Sequence, residues 1–285
     1  MKKRFEVLLL FFSAVLLMGY PYLANYVFEH ETTSLVNSVE KIEEMTDDTE
    51  KEETKKSVKQ YNEKLFSNGV KLCDPFKEES KKISTEDYRG LLCVNSEGVM
   101  GTISIPAIGV KLPIYHGTSE KILEKGIGNL EGTSLPIGGE NTHTVLTGHT
   151  GLSNAKLFTD LTELEKGEVF FLNILGEQLV YQVDQIQKVL PSNLEELYIK
   201  KGKDYCTLVT CTPYGVNTYR LLVRGTRIQQ GEDFIDSQNI KKKHVESKWM
   251  KEYEKALEYS LIIFGVGLLV LFLWKKNREK GKGCV

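Results

Sequence analysis

Short apolar runs that end at glycine or proline dominate residues 98–228 of this 285-residue chain. Apolar and polar residues that alternate over four to eight positions between turn formers predict β-strands. The stretches with this pattern are residues 98–117, 143–149, 168–174, 178–190, 205–211 and 219–228, and "LGEQ" at residues 175–178 predicts a hairpin turn. Short helices are predicted at residues 118–126 and 192–200. Seven or eight strands with few long helices predict a mainly β fold, a closed β-barrel of about eight strands.

Two uncharged apolar segments lie near the ends of the chain. Residues 7–18 follow "MKKR", and residues 259–274 precede "KKNREKGK". With their flanking aromatic and aliphatic residues, both approach the ~20 residues that cross a bilayer as a helix. The basic clusters lie on the terminal sides, so the positive-inside rule predicts a cell-membrane protein with two spans, cytoplasmic termini and an extracellular middle. The first segment is also compatible with a cleaved signal peptide, although the small-x-small cleavage pattern after it is poor.

These features divide the chain into seven predicted regions. The first three are a signal anchor at residues 1–27, a helical region at 28–68 and a loop with its connection at 69–97. In the helical region, apolar residues recur every three or four positions around an acidic break at Asp47 and Asp48, which predicts two amphipathic helices or one bent helix. The remaining regions are the barrel at 98–230, a linker helix at 231–256, a transmembrane helix at 257–274 and a basic cytoplasmic tail at 275–285.

Composition excludes some function classes. The formal net charge is −2, which provides no general basic field, and the chain carries no nucleic-acid-binding signature. The five cysteines are Cys73, Cys93, Cys206, Cys211 and Cys284. Their spacing permits a disulfide between Cys73 and Cys93 without establishing it, and no C-x-x-C or H-E-x-x-H metal motif occurs.

The stretch "TLVTCTPYGVNTYR" places a cysteine at a strand end, a turn after it and an arginine nine residues later. Cys211 and Arg220 are therefore expected near the facing ends of neighbouring strands, where the positive charge favours a nucleophilic thiolate. The alternative is a buried small cysteine and a surface arginine.

A nucleophilic thiol needs a proton partner, usually a histidine. His149 follows an apolar strand and a tight Thr-Gly turn, and taken alone it too is compatible with a structural role. His116 and His143 are expected to be structural surface histidines at strand edges, and His30 and His244 lie in charged linkers, where we expect them to be solvated.

Taken together, these motifs resemble the sortases, the cell-surface transpeptidases of Gram-positive bacteria. "TLVTC" with its arginine and the "TGH" histidine carry the resemblance, which is specific over residues 101–227. "GTISIPAIGVKLPIYHG", "HTVLTGHTGLSNAKLFTDL" and the second span resemble the pilin-polymerising class C, and "DPF", Asp74 to Phe76, matches the lid motif of that class. Tyr219 stands where many class C members have a histidine, which bears on substrate detail rather than on the chemistry.

The resemblance implies a mechanism. Cys211 would attack an LPxTG-like sorting signal and form a thioacyl enzyme, His149 would exchange protons with the leaving and incoming amines, and Arg220 would hold the substrate backbone or the oxyanion. The acceptor would be a lysine amine of the next pilin subunit. Asp74 would pair with Arg220, and Phe76 would cover Cys211, as a substrate-mimicking lid; without the resemblance, "DPF" is interpreted as an ordinary Asp-Pro turn.

No metal or cofactor is expected for this chemistry. The expected partners are pilins or surface proteins with a sorting signal, and membrane lipid. Two alternatives remain open, namely a sortase that anchors proteins to peptidoglycan and a non-catalytic membrane-tethered assembly protein.

Overall fold

A computed structural model describes residues 2–70, 72–77, 86–152, 155–228 and 248–280. The chain forms two compact units. One contains Met1–Tyr20 and Glu246–Val285, and the other contains Pro21–Val245. Of the predicted linker helix at 231–256, residues 231–247 lie outside the described residues, and residues 248–256 are helical. The end of the predicted basic tail, with Cys284, also lies outside the described residues.

Five α-helices occur in the described part of the chain. Their bounds are α1 Lys2–Met45, α2 Asp48–Asn68, α3 Glu86–Gly90, α4 Glu120–Leu123 and α5 Lys248–Lys280. The acidic break separates α1 from α2, because the Asp47 side chain accepts a hydrogen bond from the Thr49 backbone N–H and so caps the start of α2. Gly69 ends α2 at a φ of 62°, a conformation that favours glycine. The helical region thus forms two helices rather than one bent helix.

Eight strands close into a barrel in the order β1-β2-β3-β4-β7-β8-β6-β5. Their bounds are β1 Val99–Ile105, β2 Val110–His116, β3 Ile127–Asn129, β4 Thr142–Thr147, β5 Val169–Ile174, β6 Glu177–Val189, β7 Asp204–Thr212 and β8 Tyr219–Arg227. The β2–β3 and β4–β7 pairs are parallel, and the other pairs are antiparallel. The predicted mainly β barrel of about eight strands is confirmed.

Side chains from all parts of the barrel fill its interior. Fully buried members include Ile103, Leu146, Leu172, Leu208 and Val223. Burial of each such aliphatic side chain contributes about 1.5–3 kcal/mol relative to exposure. The rings of Phe170 and Tyr181 stack with centroids 5.6 Å apart. Gly225 lies against them, and a Cβ at this position would come within 2.6 Å of the Phe170 ring, so this close packing requires glycine.

The helices α1 and α2 are fastened to the barrel by polar contacts. The buried Glu43 carboxylate accepts a 2.8 Å hydrogen bond from the Leu175 N–H at the β5–β6 turn. The buried Asn62 amide bonds both to the N–H and to the carbonyl of Leu135. Because these groups are buried, loss of either partner would leave an unsatisfied polar atom at the contact.

The long stretch at residues 98–117 contains β1 and β2, joined by a 3-10 turn at Pro106–Ile108, in agreement with the proline and glycine predicted at its turns. Local details differ from the sequence-based predictions in two places. Strand β3 was not predicted, because its three residues are too few to show alternation. Residues 192–200, predicted as a helix, contain only the 3-10 turn Glu195–Leu197.

The predicted hairpin turn is present. Leu175 and Gly176 both have positive φ and form the two-residue connection between β5 and β6, as the twist of such hairpins favours. Within the residues that the structure describes, no helix has the length and apolarity needed to cross a bilayer.

Candidate active site

Cys211 and Arg220 are direct cross-strand partners. Cys211 lies near the end of β7 and pairs in register with Arg220 near the start of β8. The turn between them carries Pro213, Gly215 and Asn217, so the local sequence brings the two side chains together. Both are largely buried, with 8% of Cys211 and 9% of Arg220 exposed. A thiol and a guanidinium thus share one site at this end of the barrel.

His149 follows β4, which lies beside β7. The two strands run parallel with Thr147 opposite Val209. Beyond this pair, the Gly148 N–H donates to the Val209 carbonyl and the Thr210 hydroxyl donates to the Gly148 carbonyl, so the register continues toward the end that carries Cys211. Gly148 fits tightly there, because a Cβ would come within 2.6 Å of Ile127 and 2.7 Å of Phe158.

Glu120 at the start of α4 is a neighbour of His149 that the sequence did not indicate. Its Oε1 lies 3.2 Å from His149 Nε2, at an ion-pair distance. The Nε2 atom is buried, and the alignment of the two groups does not meet the geometry of a hydrogen bond. The sequence marked residues 118–126 only as a short helix, and nothing in it indicated this contact across the fold.

The segment that contains Asp74 and Phe76 covers the site. Arg220 donates from Nε to Asp74 Oδ1 at 2.9 Å and from a terminal nitrogen to Oδ2 at 2.7 Å, a bidentate pair. The Phe76 ring contacts both Arg220 and His149, with its centroid 4.9 Å from the Arg220 guanidinium carbon and 5.7 Å from the centroid of the His149 ring. Both donor groups of the Arg220 fork are therefore occupied by this segment, which we name the lid, residues 72–77.

Burial dominates the electrostatics of the thiol. Burial raises the pKa of Cys211, the Arg220 charge lowers it, and the Asp74 charge raises it, with a net increase. Burial disfavours the charged form of Arg220, but its hydrogen bonds to Asp74 and the nearby thiol outweigh this effect, so the pKa of Arg220 is raised. In the described arrangement the thiolate is disfavoured and the guanidinium is held by Asp74.

His116 and His143 are buried, which corrects the expectation that they lie on the surface. Both nitrogens of His143 have partners, the Tyr198 carbonyl at 3.0 Å and the Thr207 hydroxyl at 2.7 Å. Burial lowers the pKa of His143 to about 4, so the neutral ring donates to the carbonyl and accepts from the hydroxyl. The His116 nitrogens lie 3.1 Å from the Gly98 carbonyl and 2.6 Å from the Leu91 carbonyl. These contacts indicate a structural role for both histidines.

Of the other described cysteines, Cys73 lies in the lid beside Asp74, and Cys93 and Cys206 lie outside this site. Cys206 is fully buried in the barrel core, where burial raises the pKa of its thiol well above the ordinary value. Cys73 and Cys93 are free thiols, so the disulfide that their spacing permits is not formed.

Comparisons with known proteins agree with this fold. A Sortase domain model matches residues 103–228. Sortase A of Bacillus anthracis is 28% identical over 218 residues, which cover 76% of this chain and 90% of that protein.

Solved structures extend the similarity. Sortase C1 of Streptococcus agalactiae is 46% identical with a TM-score of 0.63, covering 70% of this chain and 100% of that chain. Sortase C of Streptococcus pneumoniae is 44% identical with a TM-score of 0.64, covering 69% and 97%. Sortase C1 of GBS Pilus Island 1 is 38% identical with a TM-score of 0.62, covering 72% and 96%. The chain therefore belongs to the sortase family of cysteine transpeptidases.

Proposed function

We propose that this protein is a membrane-anchored class C sortase that joins pilin subunits. The observation that carries the proposal is the bidentate Asp74–Arg220 pair, which places an acidic lid on the arginine beside Cys211. The solved sortase C of Streptococcus pneumoniae is described in terms of pilin substrate specificity, and another similar structure comes from a pilus island. Both similarities support pilins as the substrate class.

In the first half-reaction, Cys211 attacks the carbonyl carbon of the threonine in an LPxTG-like signal. The carbon–sulfur bond forms, the bond from that carbon to the glycine nitrogen breaks, and His149 donates a proton to the departing amine. Arg220 donates hydrogen bonds to the oxygen that becomes negative in the tetrahedral intermediate. The product is a thioacyl enzyme with the pilin attached to sulfur.

In the second half-reaction, a lysine amine of the next pilin attacks the thioester carbon. His149 accepts a proton from this amine, the new carbon–nitrogen bond forms, and the carbon–sulfur bond breaks to regenerate the thiolate. Repetition with further subunits produces a covalent polymer. The cycle needs no oxidant or reductant, since both half-reactions are acyl transfers.

The lid must open before either half-reaction. Asp74 accepts from the same guanidinium donors that the reaction needs, so the carboxylate stands in for a substrate or intermediate oxygen. Phe76 contacts His149 and Arg220 at the same time. The apparent affinity for the sorting signal is therefore reduced by the fraction of molecules that are closed.

Membrane anchoring is part of the proposal. Side chains on α5 that are more than half exposed include Tyr259, Leu261, Ile262, Ile263 and Val266. A contiguous series of exposed apolar side chains on a helix of this kind is costly in water and indicates contact with lipid or with a protein partner. The basic cluster that follows in the sequence supports lipid as the neighbour.

Attachment of proteins to peptidoglycan is the second candidate, favoured by the similarity to curated proteins named sortase A. It shares the first half-reaction and differs in the acceptor amine. Product analysis distinguishes the two, since polymerisation gives a ladder of pilin multimers and anchoring gives monomers linked to cell-wall fragments.

The test is Cys211→Ala in the full chain, co-expressed with an LPxTG-bearing pilin. We expect loss of the covalent ladder on a denaturing gel, because alanine removes the nucleophile and little volume. Cys93→Ala is the matched control, as Cys93 is an exposed free thiol, and this variant should retain the ladder. A ladder from the Cys211→Ala protein would refute the assignment of the nucleophile.

A further inference from the structure

Glu120 is the acidic side chain in contact with the imidazole of His149. Its Oε1 lies 3.2 Å from Nε2, and 65% of the Glu120 side chain is exposed against 16% of His149. Among the described residues, Nε2 is a buried polar atom without a hydrogen bond. Since the torsion between Cβ and an imidazole ring has a broad minimum, a modest rotation of either side chain would align the pair at little cost.

The backbone holds Glu120 in place through the crossover from β2 to β3. Leu123 of α4 is buried, and a Cβ on Gly128 of β3 would meet the Gly117 carbonyl oxygen at 2.2 Å and Leu123 at 3.2 Å. The crossover is therefore packed against the barrel without spare room. The side chain of Glu120, the first residue of α4, therefore starts from a fixed backbone position within reach of His149.

We propose that Glu120 is a positioning residue for His149. Its carboxylate accepts the Nε2–H of the ring, which fixes the orientation of the imidazole and leaves Nδ1 as the nitrogen that exchanges a proton with substrate. This inference rests on the proposed function, in which His149 is the acid and base.

The proton balance follows from this orientation. In acylation, the Nδ1 proton passes to the departing glycine amine as the carbon–nitrogen bond breaks. In aminolysis, Nδ1 takes a proton from the attacking lysine amine as the carbon–sulfur bond breaks. Glu120 takes no proton in either step, and it stabilises the imidazolium that carries the proton between them, as the acid of a catalytic triad does.

The activity test compares Glu120→Gln, Glu120→Asp and Glu124→Gln, using a fluorogenic LPxTG peptide with and without a lysine-containing acceptor. Glu124 is exposed just after α4, so its variant removes the same charge from the same crossover without the contact to His149. We expect Glu120→Gln to lower kcat about tenfold for both hydrolysis and aminolysis, because glutamine cannot stabilise the His149 imidazolium with a charge. The decrease is no larger than this because Glu120 is largely exposed, and an exposed carboxylate stabilises a neighbouring charge less than a buried one. The KM for the peptide should stay unchanged, and Glu120→Asp should recover part of kcat.

The second measurement needs no turnover. NMR of protein labelled with ¹⁵N in its histidines, without substrate, should show a slowly exchanging, downfield Nε2–H signal of His149 in the wild type and the Glu124→Gln variant. Glu120→Ala should lose it, because nothing else described lies in position to accept this proton. Equal unfolding midpoints of the variants would exclude a general loss of structure as the cause.

Three results would overturn the inference. They are an unchanged His149 signal in Glu120→Ala, a ring proton on Nδ1 with a bare Nε2, and a defect confined to the KM of the lysine acceptor, which would make Glu120 an amine-binding residue. A wild-type protein that does not cleave the peptide would count against the proposed function. In that case the NMR measurement alone would test whether Glu120 positions His149.

Discussion

At the scale of single residues, the surroundings of the reactive side chains determine their pKa values and their hydrogen-bond partners. Burial raises the pKa of the Cys211 thiol by more than the Arg220 charge lowers it, and the Asp74 charge adds to the increase. Arg220 donates two hydrogen bonds to Asp74 of the lid. Under the proposed function, the described state is a resting one, and activity requires the same residues in a different arrangement.

Arg220→Lys should lower kcat/KM for the sorting-signal peptide by about 100-fold, the effect of losing an oxyanion donor. Lysine keeps the charge but cannot reproduce the planar fork that donates two parallel hydrogen bonds. Steady-state kinetics measure the loss. Arg224→Lys is the matched control, because Arg224 lies on the same strand and makes a similar bidentate pair with Asp184 away from Cys211. Equal losses in the two variants would count against a special role for Arg220.

At the scale of elements, two attachments to the barrel have different consequences. The lid contacts the functional side chains themselves, through the Asp74–Arg220 pair and the Phe76 ring. The α1–α2 pair instead packs at the β5–β6 turn, where Glu43 binds Leu175. We therefore expect changes in the lid to alter reactivity and changes in α1 to alter stability.

Asp74→Ala should speed the labelling of Cys211 by a small thiol reagent near neutral pH. Loss of the carboxylate removes a charge that raises the thiol pKa, and an open lid also reduces its burial. Mass spectrometry must identify the labelled residue, since Cys73 and Cys93 are also free. Asp184→Ala breaks the comparable pair with Arg224 and serves as control. Equal Cys211 rates in wild type and Asp74→Ala would mean that "DPF" is only a turn.

Glu43→Gln should change how stability depends on pH. Burial raises the pKa of Glu43 to about 7 from an ordinary value of 4.5, although hydrogen bonds from Leu175 and Gly176 oppose this. Between these two pH values the unfolded chain binds fewer protons than the folded one. The contribution of Glu43 to the free energy of unfolding of the wild type therefore falls as pH rises from about 4.5 to 7. Glutamine keeps the acceptor oxygen and never ionises.

Thermal unfolding in one detergent at pH 5, 6, 7 and 8 measures this effect. The Tm of Glu43→Gln relative to wild type should increase across this window and level off above pH 7. Glu44→Gln, an exposed change on the same turn of α1, should show no such trend. A constant difference between Glu43→Gln and wild type at all four pH values would contradict the prediction.

At the scale of the whole molecule, the barrel belongs to one unit, and α5 with the part of α1 up to Tyr20 belongs to the other. The barrel buries its apolar residues in its own core, whereas the described part of α5 exposes large apolar side chains. A sortase barrel with such helices fits an enzyme held at the surface where its protein substrates emerge, which is the arrangement of the proposed function.

Val266→Lys should prevent insertion of the second predicted span. A lysine at the centre of a transmembrane helix costs about 2.5–3.5 kcal/mol on insertion scales. In intact cells, a membrane-impermeant thiol reagent should label Cys284 in this variant but not in the wild type, whose C-terminal tail is predicted to be cytoplasmic. Met45→Lys adds the same charge at an exposed position of α1 outside the predicted spans and should leave Cys284 unlabelled. Labelling of Cys284 in the wild type would contradict the proposed topology.

The sequence by itself determined the local features. Alternation and turn residues identified the longer strands, and the nine-residue interval between Cys211 and Arg220 predicted their neighbouring positions because one turn joins β7 to β8. The positions of Asp74 and Phe76 came from resemblance, and the structure places both on the site.

Only the tertiary structure decided which segments that are distant in the sequence contact each other. The contact between Glu120 and His149, the burial of His116 and His143, and the attachment of Glu43 at the β5–β6 turn join residues far apart in the chain. The three residues of β3 are a strand only because β2 and β4 lie on either side. Periodicity reports which face of an element is apolar; it carries no information about which other element covers that face, and that pairing sets burial, charge and reactivity.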